Sequence, residues 1–338
     1  ISNRSLPMLL LSLETSCDET AAAVIEADQK NSGFHLLSNV VSSQIKIHAP
    51  WGGVVPMLAA REHLKNILPV VRQALKESRK TISQIDLLAV TQGPGLIPSL
   101  LLGVNAAKTL AYFFNLPLLG VHHIEGHLKA NLINPNNTGD FSCLKYPVLS
   151  LVVSGGHTQL ILEKSPRRHQ IVGQTLDDAA GEAFDKVAKL LDLGYPGGPI
   201  VSQKAALAGD VIQKQKNPAI RAQMEKLSFP RPMLQSRNLD FSFSGLKTSV
   251  LYFYQKILAQ KPTPRLLNDW KSVICHQFQT ATVEVLVGKS LRATQQFRPK
   301  TFLLAGGVAA NQTLRTTLEK ELKEKFPQII YQPPSWEF

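Results

Sequence analysis

Two stretches of this chain follow one pattern: LLLSLETSCDETAAAVIEA, from Leu9, and PVLSLVVSGGHTQLILEK, from Pro147. Each is an apolar run, a polar turn closed by a threonine, and a second apolar run, with LSL shared ahead of the turn and Thr20 corresponding to Thr158. An apolar run of five to eight residues bounded by turn residues reads as a buried strand. Repetition of a strand-turn-strand unit at this separation reads as an internal duplication. The chain is therefore expected to hold two α/β domains, 1–146 and 147–338. Two such turns facing one another across a cleft would let backbone N–H groups from both sides converge on one anion.

The remaining periodicity fills in both halves. In the first, a third strand is expected at Leu36–Ser42, a long amphipathic helix from Val55 to Glu77, a buried strand at Leu87–Thr91, an apolar helix to Phe114 and a strand at Leu118–Val121. In the second, DDAAGEAFDKVAKLLDLG reads as a helix with Ala183, Phe184, Val187 and Leu190 on its apolar face, and YPGGP reads as an irregular turn. Residues 200–270 carry fewer strand signals and read as a helical insertion. TFLLAGGVAANQTLRTTLEKELKEK then returns to strand, Gly-Gly turn and helix, and QIIYQ is a last short strand.

Composition bounds the class of protein. Of 338 residues 44% are hydrophobic, enough for a large core. No signal peptide or membrane segment is read. Three widely spaced cysteines, Cys17, Cys143 and Cys275, without a CxxC pair, fit a reducing compartment and argue against a thiolate metal site. The net charge of +12 fits either an RNA partner or a merely basic surface; basic residues gather at Lys164–His169, Arg221–Arg237 and Lys289–Lys300.

Several motifs could carry chemistry. VHHIEGHLKAN, from Val121, places His123 and His127 four residues apart, on one helix face and within reach of a single metal ion. A zinc-peptidase motif needs glutamate directly after the first histidine. Ile124 stands there, and Glu125 points about 200° away round a 3.6-residue helix. Ser154, Gly155 and Gly156 follow a buried strand, where backbone amides can approach a phosphate closely or simply close a tight hairpin. Gly306 and Gly307 have a similar setting, with Asn311 expected on the first helical turn beyond them. Asp185 could meet ribose hydroxyls or face solvent, and SFSGLKT (Ser242–Thr248) reads equally as a substrate-facing loop or a helix start.

Taken together, ETSCDET at Glu14, HHIEGH at His122, VSGGHTQL at Val153, DDAAGEAFDK at Asp177, YPGGP at Tyr195, SFSGLKT at Ser242 and AGGVAAN at Ala305 resemble the bacterial and organellar tRNA N6-adenosine threonylcarbamoyltransferases, the TsaD family, once named glycoprotein endopeptidases. The motifs occur in the family's order and span nearly the whole chain. The resemblance implies an α/β fold of two duplicated domains, actin-like, Hsp70-like and sugar-kinase-like (ASKHA). It implies transfer of a threonylcarbamoyl group from threonylcarbamoyl-AMP to the exocyclic amine of the adenosine 3′ of the anticodon, in tRNAs reading codons that begin with A. Carried over by motif, His123 and His127 would ligate one divalent ion, iron or zinc, and Val152, Val153, Ser154, Gly155, Gly156, Asp185, Gly198 and Asn311 would hold the adenylate. No general base is named.

The family's partners would be an inactive paralogue and a small ATPase, besides tRNA; no membrane partner is implied. The expected location is bacterial cytoplasm, with a mitochondrion or plastid second. One departure stands out. The family takes a third metal ligand from an Asp-Asn motif near the C-terminus, whereas the last aspartate here is Asp269. This, with Ile1 in place of methionine, leads to the expectation of a piece of a longer protein truncated in its second domain. Two rival readings remain, an ASKHA-fold ATPase or phosphotransferase and a noncatalytic scaffold.

Overall fold

A computed structural model describes residues 7–28 and 33–334. The chain divides into two compact units, Ile1–Leu144 and Lys145–Phe338. The first unit contains strands β1 (Met8–Glu14), β2 (Glu19–Ala27) and β3 (Gly33–Ser43), the short helix α1 (Ile45–His48), α2 (Pro56–Glu77), β4 (Leu87–Gly93), α3 (Ile97–Phe114), β5 (Leu118–His122), α4 (His123–Ala130) and β6 (Thr138–Asp140). The second contains β7 (Val148–Val153), β8 (Thr158–Ser165), β9 (Arg168–Gln174), α5 (Ala180–Leu190), α6 (Gly197–Ala206), α7 (Ala208–Lys214), α8 (Pro218–Lys226), α9 (Ser244–Ala259), α10 (Pro264–Phe297), β10 (Thr301–Ala305), α11 (Gln312–Lys325) and β11 (Ile330–Gln332).

The two sheets repeat one topology. Their strand orders are β5-β4-β1-β2-β3-β6 and β11-β10-β7-β8-β9. In each, a meander of three antiparallel strands is flanked on its first member by two parallel strands. The corresponding threonines behave alike. Both are buried, and each fastens the start of its hairpin's second strand to the following helix: Thr20 Oγ1 lies 2.8 Å from His63 Nδ1 on α2, and Thr158 Oγ1 accepts from the Ala180 N–H of α5 at 2.9 Å. The duplication read from the sequence is thus a duplication of tertiary anchoring as well as of strand pattern.

Helix α2 starts at Pro56, whose missing N–H costs nothing at a first helical position. It buries Ala59, Ala60, His63, Ile67, Val70, Val71 and Ala74, one stripe at 3.6-residue spacing, against β2 and β3. Helix α3 has the length and apolarity of a membrane-crossing helix. It packs on α2 and β4, and its buried residues are the small Ser99, Gly103, Ala107 and Ala111; a Cβ on Gly103 would meet Thr15.

In the second unit α10 is the central support. Its 34 residues are buried on several sides, since α6, α7, α9, α11 and β7 all pack on it, so its sequence lacks a single apolar stripe. Phe278 of α10 meets Phe184 of α5 edge to face, with ring centroids 5.0 Å apart. Truncating either fully buried ring to alanine would cost about 3–5 kcal/mol. The motif YPGGP is not an irregular turn throughout: α6 begins at Gly197. Its first N–H is satisfied from outside the helix by Asp185 Oδ1 at 2.7 Å, and a Cβ on Gly197 would meet the Phe184 carbonyl oxygen at 2.5 Å. Only glycine allows α5 and α6 to come this close.

The basic clusters are partly internal. Arg231 pairs with Glu284 at 2.7 Å, whereas Arg221 and Glu225 form an exposed pair along α8 at 2.9 Å. Arg292 donates to the Leu234 and Ser236 carbonyls, and the buried Lys289 ammonium donates to Ser236 Oγ and the Asn238 carbonyl, both at 2.7 Å. Together they hold the irregular segment 230–240 on α10. Burial, helped by the nearby Arg292 charge, lowers the Lys289 ammonium to about 8. Between pH 8 and about 10.4, the value for an unfolded lysine, the unfolded chain binds a proton that the folded chain has released, so stability rises with pH across that window. Denaturant titrations at pH 7.5 and 10 should show this rise, and Lys289→Met should lose it while being less stable at pH 10 than the parent.

Candidate active site

Strands β1, β4 and β5 are parallel neighbours, so their C-terminal ends lie along one edge of the first sheet. That edge is where α/β sheets bind ligands. It brings together Glu14 from the end of β1, Thr91 from β4 and His123, which opens α4 directly after β5.

The Glu14 carboxylate organises this edge. Its Oε1 accepts from the Ser16 N–H, its Oε2 accepts from the Thr91 hydroxyl, and Oε2 also lies 3.4 Å from His123 Nδ1. Ser16 Oγ is 3.2 Å from the same ring nitrogen. Burial by itself would push the Glu14 carboxyl up; hydrogen bonds from His123, Ser16 and Thr91 outweigh it and hold the group at about 2. An ionised carboxylate at Nδ1 favours the Nδ1–H tautomer of His123 and turns the lone pair to Nε2.

His123 Nε2 and His127 Nε2 are 3.1 Å apart, with the rings nearly perpendicular at 76°. One ion with metal–nitrogen bonds of about 2.0–2.1 Å spans that separation. A carboxylate behind the ligating imidazole is the usual outer support of a histidine-bound metal. The donor set therefore fits a divalent ion with two protein nitrogens and further open positions. Among the described residues no cluster of three or more His, Cys, Asp or Glu forms a fuller ligand set.

In the second unit the expected adenylate residues are linked in series. Val152 and Val153 end β7 with both side chains buried, so only their backbone is available to a ligand. The turn Ser154–His157 is closed by the Ser154 N–H to the His157 carbonyl at 2.8 Å and by the His157 N–H to Ser154 Oγ at 3.1 Å. It rests on the first turn of α5 through the Gly181 N–H to the Ser154 carbonyl at 3.3 Å. Gly155 and Gly156 face open space where a side chain would otherwise stand. Asp185 leads to Gly197 as described, and the Gly198 carbonyl lies 2.9 Å from Ser202 Oγ. Asn311 is the N-cap of α11 rather than a residue of its first turn: its Oδ1 accepts from the Leu314 N–H at 3.0 Å. Its Nδ2 donates to Ser202 Oγ at 3.0 Å and to Gln279 Oε1 at 2.9 Å. Hydrogen bonds thus link the Ser154 turn to α5, Asp185 to the start of α6, and Gly198 through Ser202 to Asn311; Ser202 and Gln279, which no motif marked, both contact the Asn311 amide.

SFSGLKT is settled as a helix start. Asp177 accepts from Ser242 Oγ, the Phe243 N–H, the Ser244 N–H and Ser244 Oγ at 2.6–3.3 Å, capping α9 from outside. Burial works against the ionised Asp177, but these donors prevail and lower its pKa. Asp177→Ala should cost about 1 kcal/mol, the usual worth of a lost cap. A depressed carboxyl stabilises above the unfolded value and loses that contribution as pH falls through the folded one. The gap between parent and variant in thermal unfolding should therefore be full at pH 7 and close below about pH 3.9.

Comparison with known proteins identifies the family. The sequence profile of the family described as TsaD, tRNA N6-adenosine threonylcarbamoyltransferase, matches residues 35–335. A Listeria monocytogenes tRNA N6-adenosine threonylcarbamoyltransferase is 45% identical over 95% of this chain and 84% of the relative. One from Desulfitobacterium hafniense is 46% identical over 96% and 86%. Among solved structures, HypF from T. kodakarensis superposes with a TM-score of 0.56 at 13% identity, covering 98% of this chain and 47% of HypF, which supports an ASKHA-type fold. The chain has the ASKHA fold and belongs to the tRNA N6-adenosine threonylcarbamoyltransferase family.

Proposed function

We propose that the chain transfers a threonylcarbamoyl group from threonylcarbamoyl-AMP to the exocyclic amine of the adenosine 3′ of the anticodon, in tRNAs reading codons that begin with A. Family membership supports the reaction class. The observation that carries the site assignment is the Glu14-supported pair of histidine nitrogens at the C-terminal strand edge of the first unit.

The donor is a mixed carboxylic-phosphoric anhydride and is already activated, so the protein's main contribution is placement. In the second unit the Ser154–Gly156 turn, at the N-terminus of α5, offers backbone N–H groups and a positive helix end to the phosphate. Asp185, Gly198 and Asn311, tied together with Ser202, would flank the nucleoside. In the first unit His123 and His127 would hold one divalent ion, iron or zinc, supplying Lewis-acid polarisation of a carbonyl. Glu14 and Ser16 keep His123 Nε2 directed outward for that purpose. The net charge of +12 suits a tRNA partner. An inactive paralogue and a small ATPase are the proposed protein partners, and bacterial cytoplasm, ahead of an organelle, the proposed location.

The reaction is tested by combining the chain with its proposed partners, threonylcarbamoyl-AMP and unmodified tRNA, then reading threonylcarbamoyladenosine by nucleoside mass spectrometry. The parent should form it and His123→Ala should not. ATP hydrolysis by the chain alone without the modified nucleoside would favour the ATPase reading. Partner binding with neither activity would favour the scaffold.

A further inference from the structure

The turn between β1 and β2, Thr15–Asp18, carries Ser16 and follows Glu14 directly, so its conformation sets both groups that face His123 Nδ1. Each residue of the turn is tied to a different part of the first unit. Thr15 Oγ1 donates to the Ser99 carbonyl of α3 at 2.9 Å, the Ser16 carbonyl accepts from the Leu96 N–H at 2.7 Å, and the Asp18 carbonyl accepts from the Gln44 N–H at 3.0 Å. The Cys17 carbonyl accepts from a side chain: His63 Nε2 of α2, at 3.0 Å.

His63 is fully buried in the otherwise apolar stripe of α2. Its Nε2 faces the Cys17 carbonyl of the turn, and its Nδ1 faces the Thr20 hydroxyl near the start of β2 at 2.8 Å. A carbonyl can only accept, so Nε2 carries the proton and Nδ1 is the acceptor. Gln44 Nε2 approaches Nδ1 at 3.4 Å, and Gln44 Oε1 lies 3.0 Å from His48 Nε2. That fixes His48 as the Nε2–H tautomer, whose Nδ1 accepts from the Val55 N–H at 3.3 Å. Every donor in this buried chain meets an acceptor, the condition under which such a network specifies one conformation. A histidine required only for packing would be replaceable by the alanines and isoleucine around it; this one spans the turn with a defined tautomer.

We propose that His63 is a positioning residue: by bridging the Cys17 carbonyl and Thr20 it fixes the turn that holds Ser16 and Glu14 against His123, and so presets the metal-binding face of the histidine pair. The inference rests on the assignment of His123 and His127 as ligands. Loss of the Cys17 tie frees the peptide between Ser16 and Asp18 to rotate, and the Ser16 contact with Nδ1 goes with it.

The test is Co²⁺ binding, followed by visible absorption, alongside thermal unfolding, for the parent, His123→Ala, His63→Gln, His63→Asn and His48→Ala. A glutamine amide reaches the place of Nε2 and can donate to the Cys17 carbonyl, whereas an asparagine amide reaches only the place of Nδ1. His63→Asn should weaken Co²⁺ binding about 10-fold, the low end for groups standing behind a metal ligand, while His63→Gln stays near the parent. His48→Ala, which touches the network but not the turn, should lower the unfolding temperature without changing Co²⁺ affinity. Equal Co²⁺ affinity in the parent and both His63 variants would overturn the proposal and leave His63 structural. Binding by His123→Ala equal to the parent's would instead overturn the ligand assignment, and the proposal with it.

Discussion

Thr15 and Ser16, at the end of the first strand, are buried, and a buried carbonyl or hydroxyl left unpaired costs about 1–3 kcal/mol. In Thr15–Asp18 all four residues have found partners on α2, α3, the segment before α3 and the segment before α1. Those partners can be in place only when the helices are docked on the sheet, so the turn is formed by the packed unit and cannot precede it. Its shape in turn decides where Glu14 and Ser16 stand. The histidine pair thereby inherits its orientation from the core of the first unit through one layer of hydrogen bonds.

The second unit solves the same problem differently at the corresponding place. The Ser154–His157 turn is closed by its own backbone and the Ser154 hydroxyl, and rests on α5 through the Gly181 N–H. This leaves its glycines facing open space. One copy of the duplicated hairpin is thus committed to orienting side chains, and the other keeps a bare backbone turn at a helix N-terminus. The proposed metal-supporting and anion-binding roles rest on those two ways of satisfying equivalent polar groups.

The hairpins, the strand-helix alternation and the four-residue histidine spacing were legible because each is written in residues close together in sequence. Strand β9 was not: RHQIVGQ is an exposed edge strand without alternation of polar and apolar residues. Helix α10 hid for the opposite reason, being buried on several sides and lacking a polar face. Gly-Gly-Pro reads as a breaker, yet α6 starts there because Asp185 supplies a cap from another helix. The supports of the candidate site were the least legible. Glu14 and Ser16 meet His123 across more than a hundred residues, and His63 shows in the sequence only as a polar residue on an apolar stripe. Asn311 was singled out by motif, but nothing local announced that its amide would be shared with Ser202 and Gln279.

The central claim is that two imidazole nitrogens of the first unit, supported by Glu14, bind one metal ion. X-ray absorption at the metal edge of the zinc-loaded protein reads this most directly, because the multiple-scattering features of imidazole count the histidine ligands. The account predicts two imidazole nitrogens at about 2.0–2.1 Å, oxygen in the remaining positions, no sulfur, and one imidazole after His127→Ala. A spectrum dominated by sulfur, or one unchanged by that substitution, would contradict it.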